Sequence, residues 1–577
     1  MIKEELQKLI QQALAALGFD IEEISLEHPE TAEHGDYSTS VALVLAKKLG
    51  KNPKEVAQQI VSNFDIRASD FLDKVEVAGP GFVNFFLSKE YLVKEAESVL
   101  KRKEKYGENE ALKKKKIIIE FTDPNPFKEF HIGHLYSNIV GETLCKILEA
   151  NGAVVKRANY QGDIGLHVAK AIWGMMRIPH KPKENDSLPA KTKWLGMCYA
   201  AGAIKEDAKK EEELRKINKA LYDRSDKDIN KLYDTGRKWS LKYFEKIYER
   251  LGTKFNFYYF ESEVGEIGAN LVQENLKKGI FKESEGAIIF PGEKYGLHNR
   301  VFINSQGLPT YEAKELGLAP TKYKDFQYDL SIIVTGNEII DYFKVLIAAL
   351  KLINPKLGDR TRHVAHGMVR LAEGKMSSRT GNVITGEQLI DQVKAEALHI
   401  LESSKTESNI SQLEKQQIAE AVALGAVKYA LLKVSLGKDI IFDSEKSLSL
   451  QGDSGPYIQY TYARCKSILR KAKINLAKPS LSKLGLAKLS TEEIALLRLL
   501  YRFEEVVRVA AEKFSPNLIC NFVFDVAQAY NLFYNTHRVL EAEKKEQREF
   551  RLMLTAATAQ IIKNSLSLLG ISAPERM

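Results

Sequence analysis

Glu120 to Asn138 reads EFTDPNPFKEFHIGHLYSN. His131 and His134 stand three apart around Gly133, and Asn125 and Lys128 precede them in a turn holding two prolines. Side chains three apart on a helix share a face, so this spacing gathers two imidazoles and an ammonium at a helix start. A helix N-terminus carrying such donors stabilises charge growing on a phosphoryl group. Gly133 has no side chain, which lets a flat ligand such as adenine approach the backbone. The chemistry indicated is a nucleotide site suited to attack at phosphorus. Composition alone gives roughly 0.02 expected H-x-G-H runs in a chain of this length, so coincidence is the weaker reading.

A second segment, EGKMSSRTGN, ends at Asn382. Lys375 in this glycine-flanked loop could reach a pyrophosphate, with Ser377 and backbone amides assisting. Taken alone it reads as a solvated turn; following the histidine motif, it gains specificity.

The flanking sequence supplies elements to hold these groups. KIIIEF is a short apolar run of the buried-strand type, and GHLYSNIVGETLCKILEANG repeats its apolar residues at helical spacing. AVVKRANY is a second strand. Strand, helix, strand makes a βαβ unit and hence a parallel sheet, whose ligands bind at the carboxyl ends of the strands. After a charged, helix-like insertion at about 180–250, KFNFYYF and DLSIIVTG read as strands, and GAIIF with RVFINSQGLPTY as a hairpin. From Gly386 onward the periodicity is almost only helical. The predicted units are an α+β domain over 1–105, an α/β domain over 106–385 and an α-helical bundle over 386–577.

Composition narrows the classes. Apolar residues make up 44% of the 577 residues, an ordinary globular share, and the net charge of +9 is compatible with a nucleic-acid partner without demanding one. The four cysteines form no C-x-x-C pair, so neither a zinc ribbon nor a disulfide framework is expected, and a reducing cytoplasm is the default. No apolar run reaches bilayer length, and the acidic, amphipathic N-terminus is unlike a targeting peptide.

HIGH followed about 240 residues later by KMSSR resembles the two signatures of class I aminoacyl-tRNA synthetases. Over essentially the whole chain the pattern is similar to the arginyl-tRNA synthetase family. EHGDYSTSVALVLAKKL and VEVAGPGFVNFFL resemble its N-terminal add-on domain, and LGAVKYALLKVSLGKDIIFDSEKSLSLQGDSGPYIQYTYAR its anticodon-binding bundle. The fold implied is multidomain: a Rossmann-like α/β catalytic domain between that add-on domain and an all-α bundle.

The resemblance implies that ATP, with Mg²⁺, meets His131, Gly133, His134, Gly336, Lys375, Met376 and Ser377. It places His131, His134, Lys128 and Lys375 at the reacting phosphates. It gives arginine Glu120, Asn125, Tyr311 and Glu315, and tRNA(Arg) Tyr37, Asn84, Tyr457, Gln459, Tyr460 and Arg464. No protein-bound structural metal and no membrane are expected, and a monomer is. Three positions depart from the family pattern. Ser378 replaces the second lysine of KMSKS, and Lys128 would supply that charge from upstream. Glu315 replaces the usual aspartate at the guanidinium. Ile339 stands where a glutamine commonly meets the α-amino group, leaving that task to Asn125 or shifting the register. Two rivals follow: a class I enzyme for another amino acid, and a non-catalytic tRNA-binding relative, against which the intact ATP motifs argue.

Overall fold

The computed structural model describes residues 2–21, 23–64, 69–204, 208–372, 385–403, 410–472 and 489–577. The segment with Lys375, Met376 and Ser377 lies outside them. The N-terminal unit packs helices against an antiparallel sheet of β1 (Tyr37–Thr39), β2 (Leu72–Ala78) and β3 (Phe82–Leu87), ordered β1-β3-β2.

The central layer is a five-stranded parallel sheet. Its strands are β4 (Lys116–Glu120), β5 (Val154–Gln161), β6 (Phe257–Phe260), β10 (Leu330–Gly336) and β11 (Thr361–His366), ordered β11-β10-β4-β5-β6. Ile117, Ile118 and Ile119 are all buried, as strands covered on both faces require. Between β6 and β10 lies an antiparallel sheet of β7 (Lys282–Ser284), β8 (Ala287–Phe290) and β9 (Arg300–Ile303). The helix Ile132–Ala150 joins β4 to β5 and is buried on nearly every side, even at Ser137, Asn138 and Glu142. It is sandwiched between the sheet and the C-terminal helices rather than riding on the surface.

The expected insertion is helical, with Leu188–Ala203, Ala208–Asp223 and Lys227–Leu251. Its core gathers Trp194, Leu195, Ile217 and Tyr233 around Phe127, a residue of the loop after β4. The insertion therefore grips the site loop directly. Beyond Gly386 the chain is almost wholly helical, as expected, with one short exception. A strand of three residues, β13 (Ile440–Phe442), pairs in parallel with β12 (Val369–Leu371). Three residues are too few to carry a periodicity signal.

The N-terminal unit is latched to the bundle through Glu505. Its carboxylate accepts hydrogen bonds from the Tyr37 hydroxyl at 3.0 Å and from Lys3, and lies 3.2 Å from His28 Nε2. Burial would raise this carboxyl, but the bonds from His28 and Lys3 outweigh it and hold it at about 2. A depressed carboxyl adds stability above its unfolded value and loses it on acidification. The latch should weaken as pH falls from about 4.5 toward about 2. Glu505→Gln is expected to lower the unfolding midpoint at pH 7 and to flatten this acid limb. Melting curves across that window check it, and an unchanged acid limb contradicts it.

Candidate active site

The chain runs from β4 outward through β5 to β6, then returns to place β10 and β11 on the other side of β4. The loops after β4 and β10 thus diverge, opening the crevice where doubly wound sheets bind ligands. A cavity of about 490 Å³ fills it. Its walls come from the loop after β4 (Thr122, Asp123, Asn125), the helix start from His131 to Ser137, and the ends of β10 and β11.

The loop after β4 is strained. Thr122, Asp123 and Phe127 have φ of 80°, 42° and 69°, a region costly for side chains with a Cβ and worst for β-branched threonine. Each is held from outside: Thr122 N–H donates to Ser137 Oγ, Phe127 N–H to Ser240 Oγ, and Asp123 Oδ1 accepts from Tyr160 N–H. Asn125 is packed so closely over Gly162 that a Cβ there would sit 2.3 Å from Asn125 Oδ1.

His131 is the N-cap of the helix rather than a helical residue. Its Nδ1 accepts from Gly133 N–H at 3.1 Å and His134 N–H at 3.4 Å. An Nδ1 that accepts must be unprotonated, so the ring's proton is on Nε2, which is free to donate. The rings of His131 and His134 stack at 3.5 Å. Desolvation, then the Lys128 charge, lowers the pKa of His131; desolvation, then His131 and Lys128, lowers that of His134 further. Both are therefore neutral donors. Lys128 lies over the Tyr199 ring at 4.7 Å. Gly133, Gly336, Asn125 and Ile339 line the same cavity, so the apolar substitution at 339 faces the site.

Sequence reasoning passed over Thr122, Tyr136, Glu338 and His366, which also line it. His366 had a signal in its position at a strand's carboxyl end; the others had none beyond proximity to the motif.

Beside the crevice, Glu120 is buried and bonded to buried Lys322 at 2.6 Å. Glu315 is buried as well; burial, then Glu120, pushes its carboxyl well up. Asp123 is raised by burial, then by Glu120 and Glu315. Three carboxyls share one ammonium, so the cluster lacks positive charge. A second buried pair, Lys314 with Glu261 at 2.6 Å, lies alongside, and the Tyr311 hydroxyl is 3.3 Å from His167 Nδ1. Tyr311 is 54% exposed and open to a ligand.

The expected tRNA contacts divide. Tyr37, Asn84 and Gln459 are buried. Tyr37 bonds Glu505, Asn84 accepts from Ser38 Oγ, and Gln459 donates to the carbonyls of Ala421 and Ser572. All three side chains are buried, whereas the sequence reading places them at tRNA(Arg). Tyr457 and Tyr460 are half-buried, and the Arg464 guanidinium lies 4.8 Å over the Tyr460 ring and 5.4 Å from that of Tyr534.

A parallel sheet opened at its reversal point, with stacked histidines at the first helix start, defines a class I aminoacyl-tRNA synthetase. Residues 95–444 match the family described as tRNA synthetases class I (R), catalytic domain; residues 4–87 match the arginyl tRNA synthetase N terminal domain, and 458–577 the DALR anticodon binding domain. The chain belongs to the arginyl-tRNA synthetase family. It is 34% identical to an arginine–tRNA ligase of Clostridium botulinum over 97% of both chains, and 33% identical to one of Clostridium acetobutylicum over 100% and 99%. The structure of a Thermus thermophilus arginyl-tRNA synthetase superposes with a TM-score of 0.81 at 25% identity over 100% of both chains. That from Plasmodium falciparum shares the fold, with a TM-score of 0.80 at 21% identity over 100% and 99%. The catalytic match runs past residue 385, the boundary expected from the sequence, and takes in β13.

Removing a partner from a buried ion pair costs about 3–5 kcal/mol because the remaining charge stays buried. Lys322→Met is expected to destabilise the protein by about that much in denaturant unfolding, and Lys322→Met with Glu120→Gln to recover part of it. A single variant as stable as the parent contradicts the pairing.

Proposed function

We propose that the protein is an arginine–tRNA ligase whose crevice between β4 and β10 binds ATP beside a carboxylate cluster that holds the arginine guanidinium. The observation carrying this reading is the shortfall of positive charge among Glu120, Asp123, Glu315 and Lys322. A planar, permanently charged guanidinium supplies it with paired hydrogen bonds, and a neutral amino acid would leave the carboxyls unmatched. Asn125 takes the α-amino group in place of the glutamine lost at Ile339.

The carboxylate of arginine attacks the α-phosphorus of ATP. One P–O bond forms, the bond to the β-phosphate oxygen breaks, and pyrophosphate leaves with its negative charge. No side chain acts as nucleophile; the catalysis is positioning and electrostatic stabilisation. His131 donates through Nε2, and His134 and Lys128 stand beside it. Lys375, Met376 and Ser377 act on the pyrophosphate side, and Gly336 leaves room for the nucleotide. Mg²⁺ enters with ATP; among the described residues no cluster of three His, Cys, Asp or Glu side chains could hold a metal. The ribose hydroxyl at the end of tRNA(Arg) then attacks the arginyl carbonyl and releases AMP. Bound tRNA is required for the first step as well.

Tyr457, Tyr460 and Arg464 offer stacking faces to anticodon bases, as single-stranded RNA recognition favours. The enzyme acts as a single chain. Four buried, unpaired thiols suit a cytoplasmic protein, and no helix among the described residues is long and apolar enough to cross a membrane.

Pyrophosphate exchange with each amino acid, with and without tRNA, tests this. Exchange is expected only with arginine plus tRNA, and His134→Ala should slow it about 10²–10³-fold, the effect of losing one transition-state donor. Exchange driven by another amino acid without tRNA contradicts the assignment.

A further inference from the structure

Tyr311, given to arginine above, opens the helix Tyr311–Asp325 and is 54% exposed, so a ligand can reach its side chain. Against its hydroxyl lies His167, a buried ring that the chemistry above leaves unused. Gly165, at φ 132°, turns the chain after β5 into the helix Leu166–Arg177 and sets His167 in the first turn of that helix.

Both nitrogens of this ring have partners, and the partners fix its tautomer. Nε2 lies 2.7 Å from the carbonyl oxygen of Gly162, and Nδ1 lies 3.3 Å from the Tyr311 hydroxyl. A carbonyl only accepts, so Nε2 carries the proton. Burial lowers the pKa of the ring to about 4, so it holds no second proton near neutral pH. Nδ1 is then a bare lone pair, and the Tyr311 hydroxyl donates to it. With its hydrogen committed to His167, the tyrosine oxygen turns only lone pairs toward whatever approaches from the open side.

The same ring joins two of the residues expected at arginine. Gly162, whose carbonyl it bonds, is the residue over which Asn125 packs. Lys314, three residues after Tyr311, bonds the Ile164 carbonyl at 3.3 Å, so the loop after β5 is tied twice to the helix that carries Tyr311 and Glu315. We propose that His167 is a positioning residue for arginine: it holds the Tyr311 hydrogen away from the ligand, so that the tyrosine oxygen meets a cationic N–H group of the amino acid purely as an acceptor. This rests on the reading of the protein as an arginine–tRNA ligase. A hydroxyl without that partner is free to rotate and to turn its hydrogen against the cation.

Equilibrium dialysis of labelled L-arginine against the full-length protein, with total tRNA present and ATP absent, tests the inference. The proteins compared are the parent, His167→Phe, Tyr311→Phe and the double variant. His167→Phe is expected to weaken arginine on the order of fivefold, and Tyr311→Phe on the order of tenfold or more, the worth of a hydrogen bond to a charged group. In the Tyr311→Phe background the loss at 167 should shrink to within about twofold, because no hydroxyl remains to be oriented. His167→Gln, whose amide offers both a donor and an acceptor, should recover most of the parent affinity. A ring that only packs the loop would instead cost the same in both backgrounds, and that result overturns the proposal, as does arginine binding indifferent to His167→Phe. If His167→Phe does not fold, nitrogen spectra of the histidine-labelled parent and Tyr311→Phe decide: a protonated Nε2 and a bare Nδ1 displaced in Tyr311→Phe are expected, and a proton on Nδ1 overturns the proposal. A parent that binds no arginine overturns the ligase reading and this inference with it. A parent that binds arginine, with equal losses in both backgrounds, overturns the role of His167 alone.

Discussion

One ring anchors the site. The helix Ile132–Ala150 begins with amides that have no partner of their own, and His131 Nδ1 satisfies two of them. A protonated imidazole could not, because Nδ1 would then carry hydrogen. Capping and charge are exclusive, and desolvation together with Lys128 settles the matter in favour of the neutral ring. The proton left on Nε2 is what a phosphate oxygen can use. The cap also fixes the first turn, where Gly133 and His134 sit, so the helix start and the contacts proposed for phosphate stand or fall together.

The loop after β4 serves two opposed electrostatic tasks within about ten residues. Its first part places Asp123, its carboxyl pushed up by burial, beside Glu120 and Glu315. Its last part places Lys128 and the histidines, whose pKa values burial and the Lys128 charge lower. Reversing the chain so quickly puts three non-glycine residues at positive φ, and strain of this kind costs of order 1–3 kcal/mol per residue. Bonds from Ser137, Tyr160 and Ser240, together with Phe127 in the core of the insertion, hold the loop in place. The insertion is therefore a brace for the site loop as well as an addition to the surface.

Much of this was legible from residue order. The isoleucine run of β4 announced a buried strand, the helix after it showed in its apolar spacing, β5, β6 and β10 read as strands in order, and the histidine spacing marked the crevice. What sequence could not supply was distance. Lys322 pairs with Glu120 across 202 positions, and nothing local marks either as a partner. His167 becomes informative only once its Nε2 is seen to be committed to Gly162 and its Nδ1 to meet Tyr311. The opposite error came from motifs that carry both faces of an element. GPYIQYTYAR holds buried and half-buried positions alike, and Gln459 turns inward while the Arg464 guanidinium lies over the half-buried Tyr460 ring. Tyr37 bonds across to Glu505 of the bundle, and Asn84 pairs with Ser38 within its own sheet.

The claim that neutral imidazoles receive the triphosphate is open to direct measurement through the nitrogen chemical shifts of His131 in histidine-labelled protein, with and without ATP. The account predicts an unprotonated Nδ1 and a protonated Nε2 near neutral pH, with the Nε2 resonance displaced when ATP binds. A proton on Nδ1, a doubly protonated ring, or shifts indifferent to ATP would contradict it.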